Sequence, residues 1–366
     1  VLKKINLLSS SEREILSIVQ REGKIARAAI TEHSKLSQQS VHRVIDGLES
    51  RGFLSYSAAI NKARGKPSPM VEIAANGYAT LGISFTTENV VVCFMNLKGE
   101  ILAQYDLGTN PNAPRDVLLA LQNSIEAERN NALRHRQLLG VGIAMQGIRS
   151  GSDNKFRPPE PLAAWSDIPL ATLFEDRLGL PAFAENNATA SATAEHFLGG
   201  GRDHVCFAYL SFNYGFGVGL FWNHQPIQGG FGNAGEISSI YSQEQAVHRP
   251  ALGELVKRLS RHDLRIQGIN DIPFDATNVN SIVKSWSEET GPYLRQSLIS
   301  IKGVLDPTAI FFGGQAPSAL RKLLIAEGHA AFTNQTSRCP VLIESRLEGD
   351  AAHLGAAFLP LHNLVF

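Results

Sequence analysis

Cysteine is scarce in this 366-residue chain: Cys93, Cys206 and Cys339 stand far apart, with no Cys-x-x-Cys pair. That excludes a disulfide framework and a thiolate metal knuckle, and it fits a reducing cytosol. Net charge is lacking too, with 34 Lys+Arg against 34 Asp+Glu. At first sight this excludes a protein that holds a polyanion through bulk positive charge. An unbroken apolar run of membrane length is also missing. The longest candidate, Val205–Trp222, is interrupted by Asn213, Gly215, Gly217 and Gly219, and reads as two buried strands around a turn. Near the start, Lys3 and Lys4 precede only a short apolar patch without a small-residue cleavage site, so no secretory leader is expected. What is present is an apolar fraction of 43%, enough for a folded core, over a length that suggests two or three domains.

The zero charge is a sum of unlike parts. Residues 1–70 hold 12 Lys/Arg and 6 Asp/Glu, and the remainder 22 and 28, giving a head of +6 on a body of −6. Such polarity hints at nucleic-acid contact confined to one part. The head's pattern agrees. Ser10 or Ser11 is placed to cap a helix with Glu12 and Glu14 in its first turn, Ile15, Leu16, Ile18 and Val19 as its apolar stripe, and Gly23 as its stop. A second short helix is predicted over Arg27–Ser34. Leu36 and Ser37 then turn into a third, Gln38–Arg51, where Val41, Val44, Ile45 and Leu48 share one buried face. The opposite face presents Gln38, Gln39, Ser40, His42 and Arg43. Phe53–Ile73 reads as a hairpin around a basic tip containing Lys62, Arg64 and Lys66.

Three helices and a basic hairpin describe a winged helix-turn-helix. Its physical logic is a polar helix face in the major groove and a cationic wing on phosphate or the minor groove. Gln38 and Gln39 can pair with adenine, and Arg43 with guanine or phosphate. Lys62, Arg64 and Lys66 would add salt-dependent attraction to the backbone. A three-helix protein-docking module is the plainer alternative, but it leaves the +6 charge and the basic tip without a purpose.

From residue 75 the pattern becomes α/β. Strands are predicted at Leu81–Phe85, Asn89–Met95, Ile101–Tyr105 and Leu138–Ala144, with a helix over Asp116–Asn130. Strand Ala182–Ala184 ends at Glu185-Asn186-Asn187 and opens a small-residue helix, Ala188–Phe197. Alternation of this kind implies a mostly parallel sheet with its ligand beyond the strand carboxyl ends. Asn186 and Asn187 at that corner suit either hydrogen bonds to a polyol or the commoner work of turning and capping. Trp165 stands either at the mouth of a cleft or in the core.

Six stretches in collinear order carry a resemblance. They are Gly140-Val-Gly-Ile-Ala-Met-Gln-Gly, Pro161-Leu-Ala-Ala-Trp-Ser-Asp-Ile-Pro-Leu, Leu180-Pro-Ala-Phe-Ala-Glu-Asn-Asn-Ala-Thr-Ala, Asn233-Ala-Gly-Glu-Ile, Leu305-Asp-Pro-Thr-Ala-Ile-Phe-Phe-Gly-Gly and Leu354-Gly-Ala-Ala. With them, residues 76–366 resemble the ROK family of repressors and sugar kinases, and the winged head matches the family's repressor arrangement. The resemblance implies a two-lobed actin-like fold behind a head of residues 1–74. The smaller lobe is expected at about 75–188 plus a C-terminal helix near 350–366, and the larger lobe at about 189–349.

The departures from the family's kinases point to the function. Where they carry an Asp-x-Gly-Gly-Thr phosphate loop, this chain has Ser84-Phe85-Thr86-Thr87-Glu88, which fills the space glycines leave and adds a negative charge. The second phosphate hairpin reads Asn213-Tyr214-Gly215-Phe216-Gly217, with tyrosine for the phosphate-contacting threonine. Asn187 takes the place of the catalytic Asp, and losing a general base costs roughly 10²–10⁴ in rate. The family's zinc cluster has no counterpart after Gly235-Glu236-Ile237-Ser238-Ser239, so neither zinc nor ATP is expected. His248 and His262 read as surface residues. By resemblance, Asn186, Asn187 and Glu236 would contact a sugar, with Ser239 standing in for the family's histidine. The implied protein is a cytoplasmic, dimeric transcriptional repressor that binds operator DNA and answers to a sugar or sugar derivative. An active sugar kinase fused to a DNA-binding head is the alternative.

Overall fold

The computed structural model describes residues 8–57, 69–151, 155–262, 266, 268–333 and 335–366. Helix α1 (Ser10–Glu22) begins one residue earlier than the capping signal suggested. Ser9, not Ser10 or Ser11, is the cap, because only Ser9 stands three residues before Glu12. Its Oγ accepts from the Glu12 amide at 3.3 Å, and the Glu12 carboxylate accepts from the Ser9 amide at 2.7 Å. A short strand, β1 (Lys24–Ala26), follows, then α2 (Arg27–His33), α3 (Gln38–Ser50), β2 (Leu54–Ser57) and β3 (Met70–Ile73). The strands pair antiparallel in the order β1-β3-β2, so β2 and β3 are the two arms of the wing.

The body contains two sheets. In the smaller lobe these are β4 (Tyr78–Phe85), β5 (Val90–Asn96), β6 (Ile101–Asp106), β7 (Gln137–Met145) and, beyond the hairpin β8 (Ile148–Ser150) and β9 (Lys155–Arg157), β10 (Ala182–Asn186). Helices α4 (Pro114–Glu128) and α5 (Leu170–Leu178) belong to this lobe. Helix α6 (Asn187–Leu198) leads to the larger lobe: β11 (Cys206–Phe212), β12 (Phe216–Trp222), β13 (Gln225–Pro226), α7 (Leu252–Ser260), α8 (Thr277–Leu305), β14 (Ala309–Gly314), α9 (Ser318–His329) and β15 (Val341–Glu344). Helix α10 (Ala352–Leu364) returns to the smaller lobe.

The sheet orders are β10-β7-β4-β5-β6 and β13-β12-β11-β14-β15. Each is mixed rather than mostly parallel. In each, two neighbouring pairs are parallel and the two pairs on one flank are antiparallel, so that β5 and β12 run against the rest, because consecutive strands there are joined by tight hairpins. The run Val205–Trp222 does form the β11–β12 hairpin, with Phe212 opposite Phe216 across the turn. Among the described residues no helix is long and apolar enough to cross a membrane.

Two helices hold the lobes together, and both are packed through missing side chains. Helix α10 lies so close on the smaller sheet that a Cβ on Gly82 or Gly142 would stand 2.1 Å from His353 O or 1.8 Å from Ala356 O. A Cβ on Gly355 would meet Ala190 O of α6 at 1.7 Å, and one on Gly219 would meet Ala188 O at 2.4 Å. The small-residue sequence of α6, buried along nearly its whole length, is what lets it fit between the two sheets.

The head shares its core with α10. Ile15, Leu16, Val19, Ile45 and Leu48 form one apolar cluster with Leu354, Ala357, Phe358, Leu361 and Val365. Around it Phe53 stacks on Tyr78 at 4.4 Å, Arg13 donates to Asn363 O at 3.0 Å, and Lys98 pairs with Glu72 at 2.9 Å.

Candidate functional site

Two places in the molecule bring polar groups together. The first is the exposed face of α3. Ser37 caps that helix, its Oγ accepting from the Ser40 amide at 3.3 Å and lying 3.0 Å from Ser40 Oγ, so Ser40 is engaged in starting the helix. Gln38, Gln39 and Arg43 are exposed, and His42 is half-buried. Val41, Ile45 and Leu48 hold the opposite face in the core, which keeps the polar face outward. Asp46, the acid on this face, is paired with Arg27 and accepts from Tyr56 Oη at 3.2 Å, so its negative charge is offset where a phosphate would approach. Arg27 also lies over the Tyr56 ring, 4.9 Å from its centre. Lys62, Arg64 and Lys66, expected at the wing tip, lie outside the described residues.

The second place is the cleft between the lobes, where a cavity of about 370 Å³ opens beyond the carboxyl ends of β7 and β10. Asn186 ends β10 and caps α6. Its Oδ1 accepts from the Ala188 amide at 2.7 Å, and its Nδ2 donates to Gly147 O at 2.9 Å and to Glu236 Oε1 at 3.2 Å. The capping reading of this residue is what the structure shows, and its amide also tethers Glu236 across the cleft. Burial pushes the Glu236 carboxyl up from 4.5 to about 7.

Asn187 is buried and lines the cavity. Its Nδ2 donates to Phe85 O at 3.0 Å and to Asp350 Oδ2 at 3.2 Å, while its Oδ1 has no partner among the described residues. Gln146, just after β7, is also buried in the wall and leaves Nε2 unpaired there. Both residues line one space, and each buried unpaired group costs about 1–3 kcal/mol. Asp350, held by Asn187, Ser191 and Asn213, has its carboxyl raised to about 6 by burial.

Ser239 does not join this wall. It is exposed and its Oγ donates to Glu236 O at 2.8 Å, because the short turn after Glu236 rotates it outward. Ser238 lines the cavity in its place. Trp165 is a core residue, fully buried against Phe85, with its Nε1 donating to Pro111 O at 2.6 Å. His248 is exposed and stacks on Tyr293 at 5.2 Å. Gln146 is legible in the sequence as a strand end beside Gly147. Arg157, Arg249 and Asp350, which come from distant segments, carry no sequence signal for this site.

The turn between β4 and β5 is closed by the chain's own bonds. Thr86 Oγ1 accepts from the amides of Glu88 and Asn89 at 3.2 and 3.0 Å, and the Thr86 amide donates to Asn89 O at 3.0 Å. Those amides are turned inward, away from any phosphate. Glu88 does not merely add charge. Its carboxylate accepts from the amides of Ile269 and Asn270, at 2.6 and 3.2 Å, and so latches the smaller lobe to the larger. The Tyr214 ring packs against Gly253 of α7, where a Cβ would stand 3.1 Å from it.

A profile described as the ROK family matches residues 80–362, and one described as winged helix-turn-helix DNA-binding matches residues 8–55. The xylose repressor of Bacillus subtilis is 23% identical, covering 84% of this chain and 82% of its own. The crystal structure of a ROK family transcriptional regulator, a homolog of the E. coli MLC protein, superposes with a TM-score of 0.69 at 18% identity over 95% of this chain and 94% of that one. A ROK family glucokinase from Streptomyces griseus, solved with glucose and AMPPNP, gives 0.62 at 20% identity over 77% of this chain and 98% of its own.

Proposed function

The chain belongs to the ROK family, and from that premise we propose that it is a transcriptional repressor of carbohydrate genes whose kinase-like body binds a sugar without phosphorylating it. The head, a winged helix-turn-helix, would hold operator DNA through Gln38, Gln39 and Arg43 of α3 together with the basic wing, as one half of a homodimer. The observation that carries the sensor reading is a cavity of about 370 Å³ walled by Gln146, Asn186, Asn187, Asn213 and Glu236. A polyol offers each hydroxyl as both donor and acceptor, which suits a wall of amides and a carboxyl.

The absence of turnover is argued from the nucleotide half of the cleft. A phosphate needs backbone amides free to face it, and those of Thr86, Glu88 and Asn89 are bonded within their own turn. Proton abstraction from a sugar hydroxyl needs a base, and the Asn187 amide donates toward Asp350 instead. Neither zinc nor ATP has a part in this reading. The effector acts by differential affinity for the open and closed lobes, and it shifts DNA binding by that difference and no more.

The test uses the full chain. Monosaccharides are screened for a rise in melting temperature, and those that bind are added to ATP and to protein–DNA complexes. The expected result is a thermal shift and a changed DNA affinity, with ADP release at background. Sugar-stimulated ADP release would overturn the reading in favour of an active kinase.

A further inference from the structure

Building on the sensor reading, we infer that Asn233 and Gln228 are positioning residues. They clasp Arg149 and Glu185 of the smaller lobe and so carry Glu236 into the cleft, whose wall is complete only while the lobes are together. The loop that bears Glu236 follows β13 and belongs to the larger lobe. Its end is fixed there: the Val218 amide of β12 donates to Gly235 O at 3.1 Å, and a Cβ on Gly235 would stand 1.8 Å from Val218 O. Gly235 has a φ of 91°, a left-handed backbone that side chains disfavour. Glu236 therefore hangs from the larger lobe, while its carboxylate reaches Asn186 of the smaller one.

The clasp crosses between the lobes at two points. Asn233 meets the backbone of a single residue with both ends of its amide. Its Oδ1 accepts from the Arg149 amide at 2.8 Å, and its Nδ2 donates to Arg149 O at 2.9 Å. That is the pairing a neighbouring strand would offer β8, supplied by a side chain. The Asn233 carbonyl accepts from the Glu236 amide at 3.2 Å, so the residue that grips the smaller lobe also closes the turn presenting Glu236. At the second point Gln228 Nε2 donates to Glu185 Oε2 at 2.7 Å, and the Ala234 amide donates to Gln228 O at 3.0 Å, which ties both points into one loop. Between them Gly232 lies on the Arg149 side chain, where a Cβ would stand 2.6 Å from Cδ. Glu185 holds Arg149 Nη2 at 2.9 Å, with side chains 4% and 12% exposed, so the smaller lobe offers the loop a fixed anchor. Parting the lobes leaves these groups without their partners and withdraws Glu236 from the Asn186 side of the wall.

A purely structural loop would make the same bonds, so the test reads Glu236 itself. Burial raises its carboxyl to about 7, and Glu236→Gln should raise the melting temperature of the full chain at pH 8. In the Asn233→Ala chain the loop is released and the carboxylate hydrated, and the gain from Glu236→Gln should shrink by about half or more. Asn233→Asp, which keeps only the acceptor, should fall between the two. If Asn233→Ala does not fold, Gln228→Ala carries the same comparison. An undiminished gain in these backgrounds, or none in the parent chain, would overturn the clasp. Calorimetric titration with D-glucose and D-xylose gives the second arm: a sugar that binds the parent should bind Asn233→Ala about tenfold or more weakly, with DNA binding intact. Equal affinity would again overturn the clasp. If neither sugar binds the parent, it is the sensor reading that weakens, and the melting series still decides the clasp.

Discussion

Glu236 shows how one side chain is shaped by its surroundings. Its carboxyl sits at about 7 because burial disfavours the charged form, even with the amide of Asn186 donating to it. In the unfolded chain the same group titrates near 4.5, so between 4.5 and 7 the folded state binds more proton, and stability falls as pH rises through that window. Above it the full cost remains, on the order of 1–3 kcal/mol. Glu236→Gln keeps the acceptor for Asn186 and removes the charge. It should raise the melting temperature by a few degrees at pH 8 and leave it unchanged at pH 4. A shift of equal size at both pH values would mean that packing, not ionisation, is responsible. Asn186 makes the complementary point. Its Oδ1 caps α6 while its Nδ2 reaches Glu236, so one amide serves two partners because it has two faces.

At the scale of elements, α6 and α10 depend on how closely backbones approach. Gly355 faces the Ala190 carbonyl with no room for a methyl group, whereas Gly303 near the end of α8 has nothing within 4 Å. Gly355→Ala should therefore lower stability by about 1–3 kcal/mol or more, since the helices must separate. Gly303→Ala should be neutral or stabilising by up to about 1 kcal/mol through helix propensity. Opposite signs in denaturant unfolding would establish close packing as the cause; matching signs would remove it. The run of small residues in α6 is visible in the sequence. Its partner, the Gly-Ala-Ala of α10, lies about 165 residues away, and only the fold brings the two faces together.

At the scale of the whole molecule, the cleft connects to the head through a short path. Asn187 holds Asp350, which precedes α10, and the far end of α10 is part of the head's apolar core. Movement of one lobe against the other is restrained by Glu88, whose carboxylate receives two amides from the larger lobe. Glu88→Ala should loosen that latch. Small-angle scattering of the unliganded chain should give a larger radius of gyration, and sugar affinity should fall several-fold because the closed state is less populated. Unchanged scattering and affinity would show that the latch does not control closure. The charge asymmetry belongs at this scale too. A body of −6 is repelled by a duplex, which leaves DNA contact to the head of +6.

Features set by local chemistry are legible in the order of the residues alone. The helices of the head follow from caps and 3.6-residue periodicity, the β11–β12 hairpin from its apolar arms, and the strand ends at Gln146 and Asn186 from the α/β alternation. Differences there are of one to three residues, as at Ser9 and at the ends of β4 and β10, or of sheet type, where tight hairpins make two pairings of each sheet antiparallel. Features that depend on distant segments meeting are not legible in this way. Arg149 and Asn233 are 84 positions apart, and Glu88 and Ile269 are 181 apart. Side chains so far apart along the chain share no local periodicity, and their interaction exists only after the two lobes have packed. The cleft and its latch are therefore properties of the folded molecule, while α3 with its exposed polar face is already written in a stretch of thirteen residues.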